Sequence, residues 1–155
     1  MKSEYVNLYF VANKEMRYTL IHNGITANKI HVTGIPIRPE FLKKQDKAAI
    51  LKEFDLVEDK PIFLVFGGGA YGMSDASILF KSILDIQEDI QIIAISGKSE
   101  KTKEDFKKLA LESNKKVVIL GFTDKIPALM SISDFVVSKP GGLTTTEILV
   151  SNVPF

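Results

Sequence analysis

Apolar residues in the latter part of the chain come in short unbroken runs, separated by stretches of helical period. Pro61-Ile62-Phe63-Leu64-Val65-Phe66 is continuous, as expected of a parallel strand covered on both faces. Ile90 to Ile95, Val117 to Leu120 and Phe135 to Val137 predict three more strands. Ser74 or Asp75 opens a predicted helix to about Ile86. Glu100 to Glu112 predicts another, with Phe106, Leu109 and Ala110 on one face. Ile126, Leu129 and Met130 mark a short helix, and Leu143 to Val150 a further one. From Ile62 the chain therefore alternates β-α-β-α-β-α-β-α. Right-handed crossovers turn that order into an α/β fold with a parallel sheet and helices on both faces.

The earlier part reads differently. Tyr5 to Ala12 is apolar and aromatic and predicts a buried strand. Asn13 suits the N-cap of a helix from Lys14 to His22, closed by Asn23-Gly24. Lys29 to Thr33 predicts another strand. The two prolines in Gly34-Ile35-Pro36-Ile37-Arg38-Pro39 fix an extended path, so this segment reads as a linker. Asp46 caps a predicted helix running to Phe54. Asn152-Val153-Pro154-Phe155 has the character of the start of one more strand. Both ends give the expectation of a fragment of a two-domain protein.

Composition narrows the classes. The 155 residues suffice for a domain with a real core, and 45% hydrophobic with 25% charged residues indicates a folded chain. The net charge of +1 provides no global field for nucleic acid. Cysteine is absent, which excludes disulfides and thiolate metal sites and fits a cytosolic chain. The start lacks the apolar core of a signal peptide, and the longest apolar run is too short to span a bilayer. A substrate within a membrane stays compatible with such a chain.

Two glycine turns carry the candidate chemistry. Ser138-Lys139-Pro140-Gly141-Gly142-Leu143-Thr144-Thr145-Thr146-Glu147 follows a strand and opens a helix. Backbone N–H groups and hydroxyls at a helix N-terminus suit an anion such as a diphosphate. Gly67-Gly68-Gly69-Ala70-Tyr71-Gly72 follows an earlier strand and matches the dinucleotide fingerprint Gly-x-Gly-x-x-Gly. A dehydrogenase also needs an acidic residue ending the next strand, and here that strand ends Ile95-Ser96-Gly97-Lys98. The fingerprint alone therefore does not carry NAD. Gly97-Lys98-Ser99 lacks the upstream glycine of a P-loop, so Lys98 reads as a solvated turn lysine. Thr144-x-x-Glu147 fits a capping box, and Glu147 equally fits an acceptor for two vicinal ribose hydroxyls; spacing leaves both open. Lys139 suits a phosphate or solvent. Lys107-Lys108 and Lys115-Lys116 read as solvated faces, and His22 and His31 carry no assigned chemistry.

Taken together, these segments resemble the processive diacylglycerol glucosyltransferases and monogalactosyldiacylglycerol synthases. His31 to Pro39 looks like their interdomain segment, and Gly67-Gly68-Gly69 like their first glycine loop. Leu120-Gly121-Phe122-Thr123-Asp124-Lys125-Ile126, Leu129-Met130 and Ser133-Asp134 look like their base-binding stretch. Ser138 to Glu147 looks like their Lys-Pro-Gly-Gly-Leu-Thr signature followed by Glu. The peptidoglycan N-acetylglucosaminyltransferase that makes lipid II is a more distant likeness. It has Arg-Ser-Gly-Ala where this chain has Lys139-Pro140, which favours the glycolipid branch.

The resemblance implies a two-domain glycosyltransferase B-type fold. Residues 1–37 would be the tail of the N-terminal acceptor domain with the linker. Residues 38–155 would be an incomplete C-terminal, Rossmann-like UDP-sugar domain. The implied activity is inverting transfer of a hexose from a UDP-sugar to diacylglycerol, at the inner face of the cell membrane from the cytoplasm. Alternatives are UDP-N-acetylglucosamine transfer to a lipid-linked peptidoglycan precursor and a non-catalytic nucleotide-binding remnant. Phe122 and Thr123 would lie along the uracil, largely through backbone groups, and Glu147 would take the ribose hydroxyls. Gly141, Gly142, Leu143 and Thr144 would face the diphosphate with Lys139 nearby, and Gly68 and Gly69 would allow its close approach. No metal, cofactor or nucleic acid is implied. A Pro-Gly-Gln-Glu segment that contacts the donor sugar would follow the last strand. The sequence stops at Phe155 before it, so the chain alone is expected not to turn over.

Overall fold

A computed structural model describes residues 5–68 and 75–155. Two compact units divide the chain, Met1–Arg38 and Pro39–Phe155.

In the first unit, strands β1 (Tyr9–Val11) and β2 (Ile30–Val32) pair in parallel, with Tyr9 opposite Ile30. Helix α1 (Lys14–His22) joins them. The Asn13 carboxamide oxygen accepts from the Met16 N–H at 2.8 Å, so the expected N-cap forms. The expected buried strand from Tyr5 to Ala12 shrinks to three residues, of which only Val11 is buried. Phe10 is 66% exposed beside His31, its partner across the pair. Side chains alternate between the faces of a strand, so Phe10 lies on the face opposite Tyr9 and Val11.

The second unit holds a four-stranded parallel sheet in the order β5-β4-β3-β6. Its elements follow the chain as α2 (Lys47–Glu53), β3 (Ile62–Phe66), α3 (Ala76–Leu84) and β4 (Gln91–Ile95). Then come α4 (Glu100–Leu111), β5 (Lys116–Leu120), α5 (Ile126–Ile132), β6 (Phe135–Val137) and α6 (Gly142–Val150). The alternation read from the sequence is therefore present, and with it the predicted α/β class.

The continuous apolar strands feed two cores, one on each face. Ile62, Leu64, Ile93, Ile95 and Val136 pack with Ile50 of α2, Leu129 and Met130 of α5 and Ile148 of α6. Val65, Ile92 and Ala94 pack on the opposite face with Phe80 and Ile83 of α3 and Phe106 of α4. Chain order runs β3, β4, β5 outward in one direction, then returns to the other side of β3 with β6. The order therefore reverses between β3 and β6.

The amino edge is tied by polar groups. Gln91 is 2% exposed; its Nε2 donates to the carbonyls of Val57 (2.7 Å) and Lys60 (3.1 Å), and its Oε1 accepts from the Val57 N–H. Asp134, placed by the resemblance in the base-binding stretch, lies at this edge instead. Its carboxylate accepts from the Ile62 N–H at 2.8 Å, while its own N–H donates to the Ile62 carbonyl. That pair sets the β3–β6 register. Asp134→Ala should lower stability by about 1.5 kcal/mol, the lower end for a hydrogen bond to a charged group. Urea denaturation should show a lower midpoint at unchanged slope. Beyond α6, the Val136 N–H donates to the Pro154 carbonyl at 2.9 Å, so the final residues run beside β6 without forming a strand.

Candidate functional site

All four strands of the second unit end on one edge, and the described site residues follow β3, β5 and β6 there, in the loops or in the opening turns of α6. β3 runs into Gly67 and Gly68. The Gly67 N–H donates to the Ile95 carbonyl at 2.8 Å, and a Cβ at Gly67 would meet Phe106 Cζ and Thr102 Cγ2 at 2.9 Å. Glycine is required here by the close passage of α4. Gly68 has φ of +103°, a conformation that favours glycine. Gly69 and the rest of the fingerprint to Gly72 lie outside the described residues.

β6 runs into the second glycine turn. The Lys139 carbonyl accepts from Ser138 Oγ and from the Gly141 N–H, both at 2.8 Å. Helix α6 then starts with Gly141 as its N-cap, and no side chain caps it. The first helical bond is Thr145 N–H to the Gly141 carbonyl, at 2.8 Å. Helix geometry thus leaves the N–H groups of Gly142, Leu143 and Thr144 without intrahelical partners. The three threonines differ in use. Thr146 donates its hydroxyl to the Gly142 carbonyl at 2.8 Å, whereas Thr144 faces a hollow.

That hollow has a volume of about 190 Å³ and is lined by Phe66, Gly68, Ser138, Lys139 and Thr144. It lies between the ends of β3 and β6, where the strand order reverses. Open α/β sheets bind ligands at such a switch point, outside the carboxyl ends of the strands. Larger hollows, of about 750 Å³ between the ends of α3 and α4 and about 650 Å³ beside Lys43 to Lys47, contain none of the predicted residues. Size is a weaker guide than the convergence of glycines, hydroxyls and helix N–H groups.

The capping-box reading of Thr144 and Glu147 does not hold. With Gly141 as N-cap, Thr144 is the third helical residue and Glu147 lies one turn further on. Residues three apart share a helix face, so the half-buried Glu147 stands on the Thr144 side of α6.

At the other end of the edge, Phe122 follows β5 and is 74% exposed. Lys98 Nζ lies 5.3 Å from its ring centroid. Thr123 Oγ1 accepts from the Lys125 N–H at 3.1 Å, so its hydroxyl serves its own turn. Lys125 in turn pairs with Glu53 and lies over the Phe54 ring, which ties this loop to α2. The sequence reads Lys98 as a solvated turn lysine; its place over Phe122 follows from the pairing of β4 with β5 and has no local signal. From β5 to β6 is three strand spacings, about 14 Å, a span suited to a nucleoside diphosphate.

The groups with displaced ionisation are surface pairs away from this edge. A hydrogen bond from Lys116 lowers the Asp55 pKa, and one to Asp89 raises that of Lys60. Glu104 is lowered and Lys107 raised by their mutual hydrogen bond. Among the described residues no group of acidic and histidine side chains is arranged to hold a metal, and no helix is long and apolar enough to cross a membrane.

The fold is a doubly wound α/β sheet with a crevice at its switch point. Residues 62–155 match the glycosyltransferase family 28 C-terminal domain, and the chain belongs to that family. Residues 2–37 match monogalactosyldiacylglycerol (MGDG) synthase. The processive diacylglycerol beta-glucosyltransferase of Bacillus subtilis is 30% identical over 97% of this chain and 39% of its own length. That of Staphylococcus haemolyticus is 35% identical over 94% of this chain and 37% of its own length. The chain thus spans about two-fifths of the curated relatives it matches. Among solved structures, the S. aureus MnaA–UDP co-structure shares the fold with TM-score 0.72 at 19% identity, over 96% of this chain and 41% of that one. Anabaena HepE in complex with UDP-glucose has TM-score 0.63 at 16% identity, over 97% and 44%.

Proposed function

We propose that residues 38–155 form the UDP-sugar-binding part of an inverting glycosyltransferase that moves a hexose from a UDP-sugar to diacylglycerol. Residues 1–37 belong to its acceptor domain, and the enzyme works from the cytoplasm, peripherally at the membrane surface. One observation carries the reading: the uncapped start of α6 and the Gly68 turn converge on one crevice at the sheet's switch point. The relatives named for diacylglycerol glucosyl transfer supply the acceptor class.

In this reading the diphosphate lies against the N–H groups of Gly142, Leu143 and Thr144, with the Thr144 hydroxyl and Lys139 beside it. Gly68 and Gly69 let the backbone approach. Glu147 accepts the ribose hydroxyls, and Phe122 with the Thr123 backbone receives the uracil. As the bond between the sugar's anomeric carbon and the diphosphate oxygen breaks, negative charge grows on UDP. Dipoles already aimed at that charge lower the barrier, because they need no reorganisation.

The test is selectivity. Calorimetric titration should show UDP binding in preference to NAD, since the strand before Ser96 ends without the acidic residue that NAD sites use. Binding of NAD with none of UDP would overturn the reading. Transfer of labelled glucose from UDP-glucose into diacylglycerol vesicles, assayed with the whole protein, tests the acceptor.

A further inference from the structure

Two ammonium groups flank the exposed Phe122 loop. Lys98 Nζ sits over the Phe122 ring, and Lys103 Nζ lies 3.8 Å from where a Cβ on Gly121 would stand. Lys103 is half-buried, on the first turn of α4 beyond its Ser99 cap. Among the described residues, neither lysine forms an ion pair. Other lysines near loops do, as Lys125 does with Glu53 and Lys60 with Asp89. Position separates these two from an anion site at α6, because they stand at the β4–β5 end of the edge, two or more strand spacings from the start of α6.

An ammonium is a donor without an acceptor. Held over an aromatic ring by its quadrupole, Lys98 presents N–H groups where the edge of a base stacked near Phe122 would come. An edge bearing a carbonyl oxygen satisfies such a donor. An edge bearing an exocyclic amino group sets donor against donor, as the N4 amino group of cytosine would. We infer that Lys98, assisted by Lys103, is a specificity-determining residue that selects a nucleotide base with a carbonyl edge, uracil, over one with an amino edge, cytosine. The inference rests on the nucleotide site proposed above and adds which side chains select its base and why.

Calorimetric titration of the chain with UDP and CDP tests it, because the two differ only at the base edge. The unaltered chain should favour UDP by about tenfold, a modest value that reflects the exposure of Lys98. Lys98→Met should shrink that ratio by weakening UDP while CDP stays within about twofold. Adding Lys103→Met should bring the ratio near one, and Lys98→Arg should retain it. Neither lysine belongs to a core, and thermal melting checks that each variant folds. Parallel weakening of UDP and CDP in Lys98→Met would place the ammonium on the phosphates and overturn the inference, as would an unchanged ratio. If the unaltered chain binds UDP and CDP equally, the inference fails and the nucleotide site stands. If it binds neither, the nucleotide site itself is refuted, and the inference with it.

Discussion

Phe106→Ala should destabilise the Pro39–Phe155 unit by about 3–5 kcal/mol, the range for removing a buried aromatic ring. Phe106 is fully buried on α4, and its ring centroid lies 4.3 Å from that of Phe80 on α3. The loss joins the transfer energy of the ring to the cavity left between the two helices and the sheet. Urea denaturation should show the fall in midpoint. The same ring sets the limit at Gly67, where an added Cβ would meet it at 2.9 Å. Gly67→Ala alone should cost about 1–3 kcal/mol through overpacking. In the Phe106→Ala background that second cost should shrink, giving a coupling on the order of 0.5–3 kcal/mol. Simple additivity of the two would show that the ring does not dictate glycine at position 67.

Glu147→Gln should weaken UDP binding by about 10- to 100-fold, as expected for losing a charged acceptor worth roughly 1.5–3 kcal/mol. Folding should change less, because Gln keeps the size of Glu and an acceptor oxygen on its side chain. Comparison of UDP with 2′-deoxy-UDP isolates the ribose. The unaltered chain should discriminate between them, and the Gln variant should do so far less. A variant that melts much lower yet discriminates as before would give Glu147 a structural role only.

The architecture was legible because each element announced itself locally. The unbroken run from Ile62 to Phe66 demanded cover on both faces, and Leu64 and Val65 do enter opposite cores. Asn13 and Asp46, the two caps read from the sequence, each accept a hydrogen bond from a backbone N–H three residues on, the capping pattern of short polar side chains. Three features depended on longer-range information. Tyr5 to Ala12 has the composition of a buried strand, yet only Tyr9–Val11 pairs and Phe10 is exposed. Thr144-x-x-Glu147 has the letters of a capping box, yet the glycine doublet puts the N-cap three residues earlier, at Gly141. Asp134 adjoins the base-binding likeness in sequence, while the parallel crossover carries it to the opposite edge. The Lys98–Phe122 contact joins loops after neighbouring strands, and no spacing rule links them.

The reversal of strand order between β3 and β6 has a kinetic consequence. The residues that first tie those two strands, Ile62 and Asp134, are 72 positions apart. Closing a loop of that length is entropically costly, and contacts of such separation slow folding. The crevice between Gly68 and Ser138 therefore has no counterpart in any short segment of the chain. Unfolded or partly folded molecules, even with native-like helices, offer a nucleotide no pre-assembled site. Ligand retention during refolding would consequently time the docking of β6 against β3, separately from the helix formation that circular dichroism follows.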